Sequence, residues 1–367
     1  MRILYDGKIY KIYNEHTPGG VIRYFTNLIS RIPLNFIPNL TTVQQQNIIY
    51  PVHSNLKIWE YKPFRPVRLY RQLEKHYFKT IATFNSFDLA HPTYYSLLSE
   101  QEFNQYRYPV VLTVYDMVHE IFRDKIDPKG EHGELKHKAI SSADRLICIS
   151  ENTKKDLMHW YSVPEEKITV TYLAAGIDAS LSWGDDSVPS RPYYLYVGSR
   201  DASYKNFDTL LLAFANVASI NPAVMLCVVG YPFWETEIKR IAELKLSHRI
   251  ELYTYASDAH LAKLYRCSIA FVYPSLYEGF GIPTLEAMSC GTPVVASNCA
   301  SIPEVVGDAG LMFNPKSISD LTDIMLFLLD NPTERDRLIT KGHQRAKTFS
   351  WDKTVDKTVE VYQSVSN

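Results

Sequence analysis

Residues 269–297, with the sequence IAFVYPSLYEGFGIPTLEAMSCGTPVVAS, predict a strand, a loop, a helix and a second strand in direct succession. The apolar, β-branched run 269–273 is typical of a buried strand. Glycines and prolines then predict a loop, and Pro283 suits the first turn of a helix over 284–289. Residues 292–296 predict the next buried strand. These elements indicate a parallel α/β sheet with a glycine-rich loop at the carboxyl end of a strand, where such sheets bind ligands.

Two carboxylates, Glu278 and Glu286, flank this loop. A carboxylate that accepts two hydrogen bonds can bind vicinal hydroxyl groups. The backbone N–H groups of Gly281 and Ile282 open the predicted helix, where an anion is favoured. The local chemistry therefore indicates a polyhydroxylated, phosphorylated ligand.

The segment EGFGIPTLE, which runs from Glu278 to Glu286, resembles the E-x7-E signature of retaining glycosyltransferases of family four. The resemblance is supported by Pro-Ser before the segment and Gly-Thr-Pro-Val-Val after it, whereas a bare E-x7-E is more often a loop cap and a solvated helix residue. It implies the GT-B fold, in which two Rossmann-like parallel-sheet domains face a central cleft. It also implies that Glu286 binds the nucleotide ribose, that Glu278 meets the donor sugar, and that the other donor contacts of the segment are Phe280, Gly281, Ile282 and Leu285.

Arg200 and Lys205 follow the first predicted strand of the second half of the chain. Two cations at the carboxyl end of a strand can neutralise a diphosphate leaving group, although an isolated Arg-x4-Lys is usually a pair of solvated loop cations. Both residues match the diphosphate-binding Arg and Lys of the resembled family. With Glu278 they are the predicted catalytic residues, and Tyr255 lies where the family's backbone contacts the base.

A Gly-Gly pair, Gly19 and Gly20, opens an apolar helical pattern after the first predicted strand. Glycine at a helix N-terminus lets the backbone approach a diphosphate closely. A simple turn is the alternative. The pair also resembles the N-terminal glycine loop of the same family, which implies a contact with the donor.

Four further residues of the first half are predicted sugar or acceptor contacts: His91, Tyr115, Asp116 and His119. His91 follows a short predicted strand and is either a cleft-lining group or a structural histidine. Many relatives carry His-Asp at the end of the strand 109–115, where this chain has Tyr115-Asp116. Asp116 or His119 is the candidate replacement for the missing histidine.

Residues 57–80 are basic and aromatic, with seven Lys or Arg against two Glu, hence 7 − 2 = +5. Such a segment suits peripheral contact with an anionic membrane that carries a lipid-linked acceptor. A solvated helix with core-facing tyrosines is the alternative. Nucleic acid is disfavoured as a partner because the whole chain has a net charge of −1.

A chain of 367 residues suggests two domains. We expect a Rossmann-like acceptor-side domain over 1–185, a polar linker near 182–192, a nucleotide-sugar-binding domain over 192–350, and a final helix, 351–367, that crosses back to the first domain. The N-terminus lacks a signal-peptide pattern and the 5 cysteines form no C-x-x-C motif. These features favour a cytoplasmic protein, peripheral on the inner face of the plasma membrane if residues 57–80 bind lipid.

The predicted reaction moves a hexose, with retention, from a nucleotide diphosphate sugar to a saccharide or lipid-linked saccharide acceptor in surface polysaccharide assembly. On family frequency UDP-glucose is the first donor and GDP-mannose the second. No cofactor and no metal are expected, because neither proposed binding loop contains Asp-x-Asp. The alternatives are an epimerase, a phosphorylase, and a nucleotide-sugar-binding assembly partner without activity.

Overall fold

A computed structural model describes residues 1–12, 19–45, 49–177, 179–181, 186–254 and 256–365. The chain divides into two compact units, Met1–Leu173 with Trp351–Asn367, and Ala174–Ser350. We refer to them as the first and the second unit.

The first unit alternates strands and helices along the chain. Its strands are β1 (Arg2–Asp6), β2 (Ile37–Val43), β3 (Lys57–Tyr61), β4 (Leu89–Ala90), β5 (Val111–Val114), β6 (Arg145–Cys148) and β7 (Ile168–Val170). Its helices before Leu173 are α1 (Lys8–Ile12), α2 (Gly20–Arg31), α3 (Val67–Phe84), α4 (Val118–Ile121), α5 (Arg123–Ile126), α6 (Glu131–Ser142) and α7 (Glu151–Tyr161).

All strand pairs of the first unit are parallel. One sheet has the order β3-β2-β1-β4 and another has the order β5-β6-β7. A parallel bridge between Ala90 and Val110 links them. The combined order is that of a doubly wound sheet, in which the direction of progression reverses between β1 and β4.

The second unit repeats this plan with a single six-stranded sheet. Its strands are β8 (Tyr193–Val197), β9 (Met225–Val229), β10 (Ile250–Tyr253), β11 (Ala270–Tyr273), β12 (Val294–Ser297) and β13 (Gly310–Phe313). Its helices are α8 (Phe207–Ile220), α9 (Glu235–Glu243), α10 (Asp258–Arg266), α11 (Ile282–Ser289), α12 (Ile302–Val306), α13 (Ile318–Asp330) and α14 (Pro332–Ala346). The strand order is β10-β9-β8-β11-β12-β13, and all neighbouring strands are parallel. The direction in which the chain progresses across the sheet reverses between β8 and β11.

The predicted α/β class with two Rossmann-like domains is confirmed. In the second unit, β9 and β11 are buried at every position, as expected for strands covered by helices on both faces. The apolar face of α8 packs on this sheet through Leu210, Phe214 and Val217. The strand–loop–helix–strand sequence predicted for 269–297 appears as β11, α11 and β12, with α11 beginning two residues earlier than predicted.

The division between the units lies earlier than the predicted linker. Two side chains of α10 bond to the backbone of the segment before β8. Arg266 donates to the carbonyl oxygen of Leu181 at 3.2 Å, and Lys263 donates to the carbonyl oxygen of Asp186 at 2.7 Å. These bonds attach the segment to the second unit, which begins at Ala174. The last helix, α15 (Trp351–Val365), belongs to the first unit, where Thr354 donates to the carbonyl oxygen of Tyr172 at 2.6 Å.

The basic stretch 57–80 is not one helix. Its first five residues form β3, which pairs with β2, and α3 begins at Val67. Glu74, Phe78 and Ile81 turn one face of α3 into the core. Among the described helices, none combines the length and apolar character needed to cross a bilayer.

Candidate nucleotide-sugar site

Two predicted donor-binding residues, Lys205 and Glu278, follow β8 and β11, which are the strands at the topological switch point of the second unit. β8 and β11 are neighbours at the centre of the sheet, where Ala270 pairs with Tyr194 and Phe271 with Leu195. The chain leaves both strands at the same edge, because they are parallel. Open α/β sheets bind ligands in the crevice outside this edge.

The loops after β8 and β11 bring Lys205 and Glu278 together. Lys205 Nζ lies 2.9 Å from Glu278 Oε1 and 3.1 Å from Oε2, and the two side chains are only 17% and 12% exposed. Burial opposes the charge of Lys205, yet the adjacent Glu278 carboxylate outweighs burial and raises the pKa of the lysine. Lys205 is therefore a cation at neutral pH, and it lies beside the Glu278 carboxylate at the carboxyl edge of the sheet.

Backbone contacts fix the loop that carries Glu278. Ser301 Oγ donates to the carbonyl oxygens of Glu278 at 2.7 Å and of Phe280 at 3.1 Å. Leu276 N donates to the carbonyl oxygen of Tyr204, at 2.7 Å, which ties this loop to the one after β8. Gly281 has a φ of +102°, a conformation that suits glycine, and precedes the first residue of α11. In the first turn, Pro283 has no N–H and Thr284 N donates to the carbonyl oxygen of Gly281 at 3.0 Å, so Ile282 carries the N–H that an anion can use.

Arg200 is almost completely buried and is held on three sides. Its Nε donates to Glu237 Oε1 at 2.8 Å and its Nη2 to the carbonyl oxygen of Tyr231 at 2.6 Å. The guanidinium carbon lies 4.7 Å from the ring centre of Phe233 and 5.5 Å from that of Phe207. Within the described part of the chain, Nη1 is buried without a hydrogen-bond acceptor. A charged donor in this state indicates a place for an anionic ligand.

Glu286 lies in the middle of α11 and is 5% exposed. Tyr265 of α10 donates its hydroxyl to Glu286 Oε2 at 3.3 Å. This bond orients the carboxylate of Glu286. The two glutamates of the motif therefore have different partners, as expected if they contact different parts of one ligand.

Two predicted donor contacts have side chains inside the core. Leu285 is 0% exposed, and Phe280 is 3% exposed and packs edge-on against Phe349 at 5.8 Å. Their position at the start of α11 turns these apolar groups inward, which leaves the backbone as the part that can meet a donor; the donor contact of both residues stays a prediction. Tyr255 lies outside the described residues.

In the first unit, Gly19 and Gly20 stand at the start of α2. The carbonyl oxygen of Gly19 accepts hydrogen bonds from Ile22 N at 2.9 Å and Arg23 N at 3.2 Å. The pair therefore opens a 12-residue helix, as predicted. Its contact with the donor stays a prediction.

His91 is a core residue of the first unit. It is 0% exposed, its Nδ1 lies 2.6 Å from Tyr362 Oη, and its Nε2 lies 2.8 Å from Thr113 Oγ1. Burial lowers the pKa of His91 to about 3, so the ring is neutral. Because both ring nitrogens are bonded inside the unit, the structure favours the structural alternative, and a sugar or acceptor contact of His91 stays a prediction.

Tyr115 is buried and meets the rings of Tyr24 and Tyr95 edge-on, each at 6.2 Å. Its aromatic ring therefore fills core volume at the end of β5. Asp116 and His119, which follow it, are half-buried.

A buried lysine positions the residues after Tyr115. Lys136 Nζ donates to the carbonyl oxygen of Asp116 at 3.0 Å and to Glu120 Oε2 at 2.8 Å. His119 stacks on His132 with ring centres 4.8 Å apart, and burial together with nearby Lys136 lowers the pKa of His119. Asp116 and His119 stay candidates for sugar or acceptor contact.

The sequence did not point to Glu237, which is the main partner of Arg200. Glu237 lies in the first turn of α9, directly after β9, and its Oε2 also accepts from Trp234 N at 2.8 Å. Because β9 neighbours β8, a predicted doubly wound order would have placed an acidic first turn of this helix beside Arg200. Clusters of three or more metal-binding side chains do not occur among the described residues.

Two consecutive Rossmann-like units, each built on doubly wound parallel strands, are the architecture of GT-B proteins. The solved structure of sucrose-phosphate synthase from Thermosynechococcus elongatus is similar to this chain with a TM-score of 0.76 and 19% identity, over 99% of this chain and 98% of that one. At this identity the likeness shows the fold alone. The fold is GT-B.

Two family models match consecutive parts of the chain. The model described as Glycosyltransferase Family 4 matches residues 19–179, and the model described as Glycosyl transferases group 1 matches residues 185–345. The chain belongs to glycosyltransferase family 4.

Two curated relatives are similar over part of their length. O-antigen chain mannosyltransferase B of Escherichia coli is 32% identical over 238 residues, which cover 62% of this chain and 62% of that protein. MMP alpha-(1->4)-mannosyltransferase of Mycolicibacterium hassiacum is 33% identical over 235 residues, which cover 63% of this chain and 56% of that protein. The matched segment thus spans about three fifths of the first relative and less of the second.

Proposed function

We propose that this chain transfers a hexose from a nucleotide diphosphate sugar to a hydroxyl group of a saccharide acceptor, with retention of the anomeric configuration. The observation that carries the proposal is the pair of buried cations, Arg200 and Lys205, in the loop after β8, each bonded to a carboxylate. One guanidinium nitrogen of Arg200 is buried without an acceptor among the described residues, and the Glu278 carboxylate keeps Lys205 protonated. Two such cations suit a leaving group with two phosphates.

The departing diphosphate gains negative charge as the bond to the sugar breaks. Arg200 Nη1 and Lys205 Nζ can each donate to this charge, and both are already fixed in place, so little reorganisation accompanies the reaction. The N-terminal turn of α11 adds backbone dipoles of the same sign. No nucleophilic residue is assigned, because stabilisation of the leaving group is the role that these residues support.

In this proposal the two glutamates contact different parts of the donor. Glu278 accepts from Lys205 and retains lone pairs for hydroxyl groups of the sugar. Glu286, oriented by Tyr265, binds the vicinal hydroxyl groups of the ribose. Glu278 therefore has two tasks, since it also keeps Lys205 charged.

The hexose is mannose rather than glucose in this proposal, because both curated relatives are named mannosyltransferases. UDP-glucose, which family frequency favours, is the competing donor. Surface polysaccharide is the proposed acceptor class, since the Escherichia coli relative is named for the O-antigen chain.

The test is calorimetric titration with GDP-mannose, UDP-glucose and the free diphosphate nucleotides, with and without chelator. Micromolar binding of one donor, unchanged by chelator, would support a metal-independent transferase and identify the base. Loss of binding with chelator would refute metal independence, and absence of binding across the panel would refute the donor site. Binding without turnover, over a panel of saccharide acceptors, would instead favour a nucleotide-sugar-binding assembly partner.

A further inference from the structure

A segment of the first unit stands clear of its core. Residues 62–69 and 71–73 are exposed, and Tyr70 is half-buried. We call residues 62–73 the exposed basic segment. It comprises the turn after β3 and the first two turns of α3.

The charge of this segment has one sign. Lys62, Arg65, Arg68 and Arg71 are exposed, and 62–73 contains no Asp or Glu. The acidic residue that follows, Glu74, is 1% exposed and forms an ion pair with Lys11. Within the part of the chain that the structure describes, no ion pair involves these four cations, so they present a positive surface.

Apolar side chains lie between these cations. Phe64 is 39% exposed, Val67 51%, Leu69 46% and Leu73 42%. Leu69 and Leu73 are four residues apart and share one face of α3. Leu73 lies about 140° around the helix from the buried Phe78 and about 80° from the buried Ile81, so the two leucines border the buried face and keep nearly half of their surface exposed.

The geometry points to an anionic lipid bilayer as the partner of the exposed basic segment. The cations match lipid phosphates and carboxylates, and the leucines, Val67 and Phe64 can enter the headgroup region. Tyr61 and Tyr70, whose rings stack at 5.6 Å, add aromatic groups of the kind enriched at membrane interfaces. A protein partner would match the leucines but would need a strongly acidic surface, and a nucleic acid would leave four apolar side chains unsatisfied.

The structure also limits the contact to part of the basic stretch. After Leu73, α3 packs into the unit through Phe78 and Ile81, and Lys75 forms an ion pair with Glu100. The charges of β3 lie in a strand that pairs with β2. The membrane contact therefore covers 62–73 rather than all of 57–80. It goes beyond the proposed transfer reaction and does not depend on it.

The test is co-sedimentation of the whole protein with vesicles of phosphatidylcholine containing about one third phosphatidylserine. We expect binding at low salt, release at high salt because the Debye length shortens, and little binding to pure phosphatidylcholine. Two variants separate the contribution of the cations from that of the apolar side chains. Arg65→Gln, Arg68→Gln and Arg71→Gln together should weaken binding about a hundredfold, and Leu69→Ser with Leu73→Ser about tenfold.

Matched controls remove similar groups elsewhere. One carries Lys239→Gln, Lys347→Gln and Lys357→Gln, which are three exposed cations outside the segment. The other carries Ile220→Ser and Phe327→Ser, whose side chains are 66% and 46% exposed. Both controls should bind vesicles as the wild type does, and near-wild-type unfolding temperatures would show that every variant is folded.

Three outcomes would overturn the proposal: no binding of the wild type at low salt, equal losses in the controls, or tight RNA binding with no vesicle binding. Donor titration in solution is measured separately and contains no lipid. Failure of the vesicle assay with normal donor binding would therefore refute the membrane contact alone, and the reverse result would refute the donor site alone.

Discussion

The crevice between β8 and β11 in the second unit and the one between β1 and β4 in the first lie at equivalent positions of two sheets with the same order. In the first unit the described polar groups at this position are bonded to one another: both nitrogens of His91 are bonded, and Asp6 accepts from Leu98 N at 3.0 and 3.1 Å. In the second unit Arg200 keeps one nitrogen unpaired among the described residues. Polar satisfaction therefore distinguishes the two positions, and only the second offers a free donor to the anion site that we propose.

The largest expected effect is a loss of catalytic rate when Lys205 of the second unit is replaced. Lys205→Met removes a cation from the diphosphate, and kcat should fall about 10²–10³-fold, the usual cost of one lost donor. Initial rates with the identified donor measure it. The control is Lys239→Met, which removes the lysine of an exposed pair with Glu235 at 3.1 Å, and should leave the rate unchanged. A Lys205→Met enzyme that is folded and near-normal in rate would disprove the role of the lysine.

The second largest expected effect is a loss of nucleotide affinity when the proposed ribose contact, Glu286, is replaced. Glu286→Ala should weaken binding of the free diphosphate nucleotide by about 10–100-fold, because two charge-assisted hydrogen bonds are lost. Tyr265→Phe removes only the hydroxyl that orients Glu286 and should weaken binding by a few-fold. Calorimetry with the nucleotide alone measures both. Unchanged affinity in Glu286→Ala would exclude the ribose role.

A pair of glycines offers a sharper comparison. A Cβ at Gly230 would lie 2.5 Å from the carbonyl oxygen of Gly198 and 2.9 Å from Arg200 Nη1, and one at Gly7 would lie 2.1 Å from the carbonyl oxygen of Thr41. Gly230→Ala and Gly7→Ala should both lower the free energy of unfolding by about 1–3 kcal/mol. Gly230→Ala alone should also weaken nucleotide binding about fivefold, since Arg200 is displaced. Equal nucleotide affinity in the two variants would contradict this distinction.

The smallest effect on function concerns the first crevice. The pKa of His91 is about 3 in the folded protein, below the ordinary value near 6.5, so the unfolded chain binds more protons between these values and stability rises with pH there. Burial raises the pKa of Asp6 to about 7, which gives the opposite slope between pH 4 and 7. The substitution His91→Asn removes the His91 slope and keeps the Asp6 slope.

The difference in unfolding free energy between wild type and His91→Asn should therefore grow by roughly 1 kcal/mol per pH unit from 4.5 to 6.5. Denaturant unfolding at the two pH values measures it. A pH-independent difference would show that His91 titrates normally. Nucleotide affinity at neutral pH should match the wild type, and a loss of affinity would return His91 to the candidate site.

The sequence indicated the second crevice better than the first for a physical reason. Glu278, Gly281 and Pro283 lie in one short loop, so local chemistry and turn propensity determine their arrangement. His91 is satisfied by Tyr362, which lies 271 residues away on α15, and such a distant partner leaves no local signal. The pairing of Arg200 with Glu237 was missed for the same reason, since it depends on which strands are neighbours.

The Arg200 nitrogen that lacks an acceptor within the described residues also bears on how much of the protein a cell retains. A buried donor without an acceptor costs about 1–3 kcal/mol, which is a sizeable share of the stability of an ordinary domain. A bound ligand that supplies the acceptor stabilises the folded chain according to its concentration relative to Kd. With the donor sugar that we propose as this ligand, a larger fraction of chains would unfold and be degraded when the sugar is scarce, so the amount of protein would follow the sugar supply.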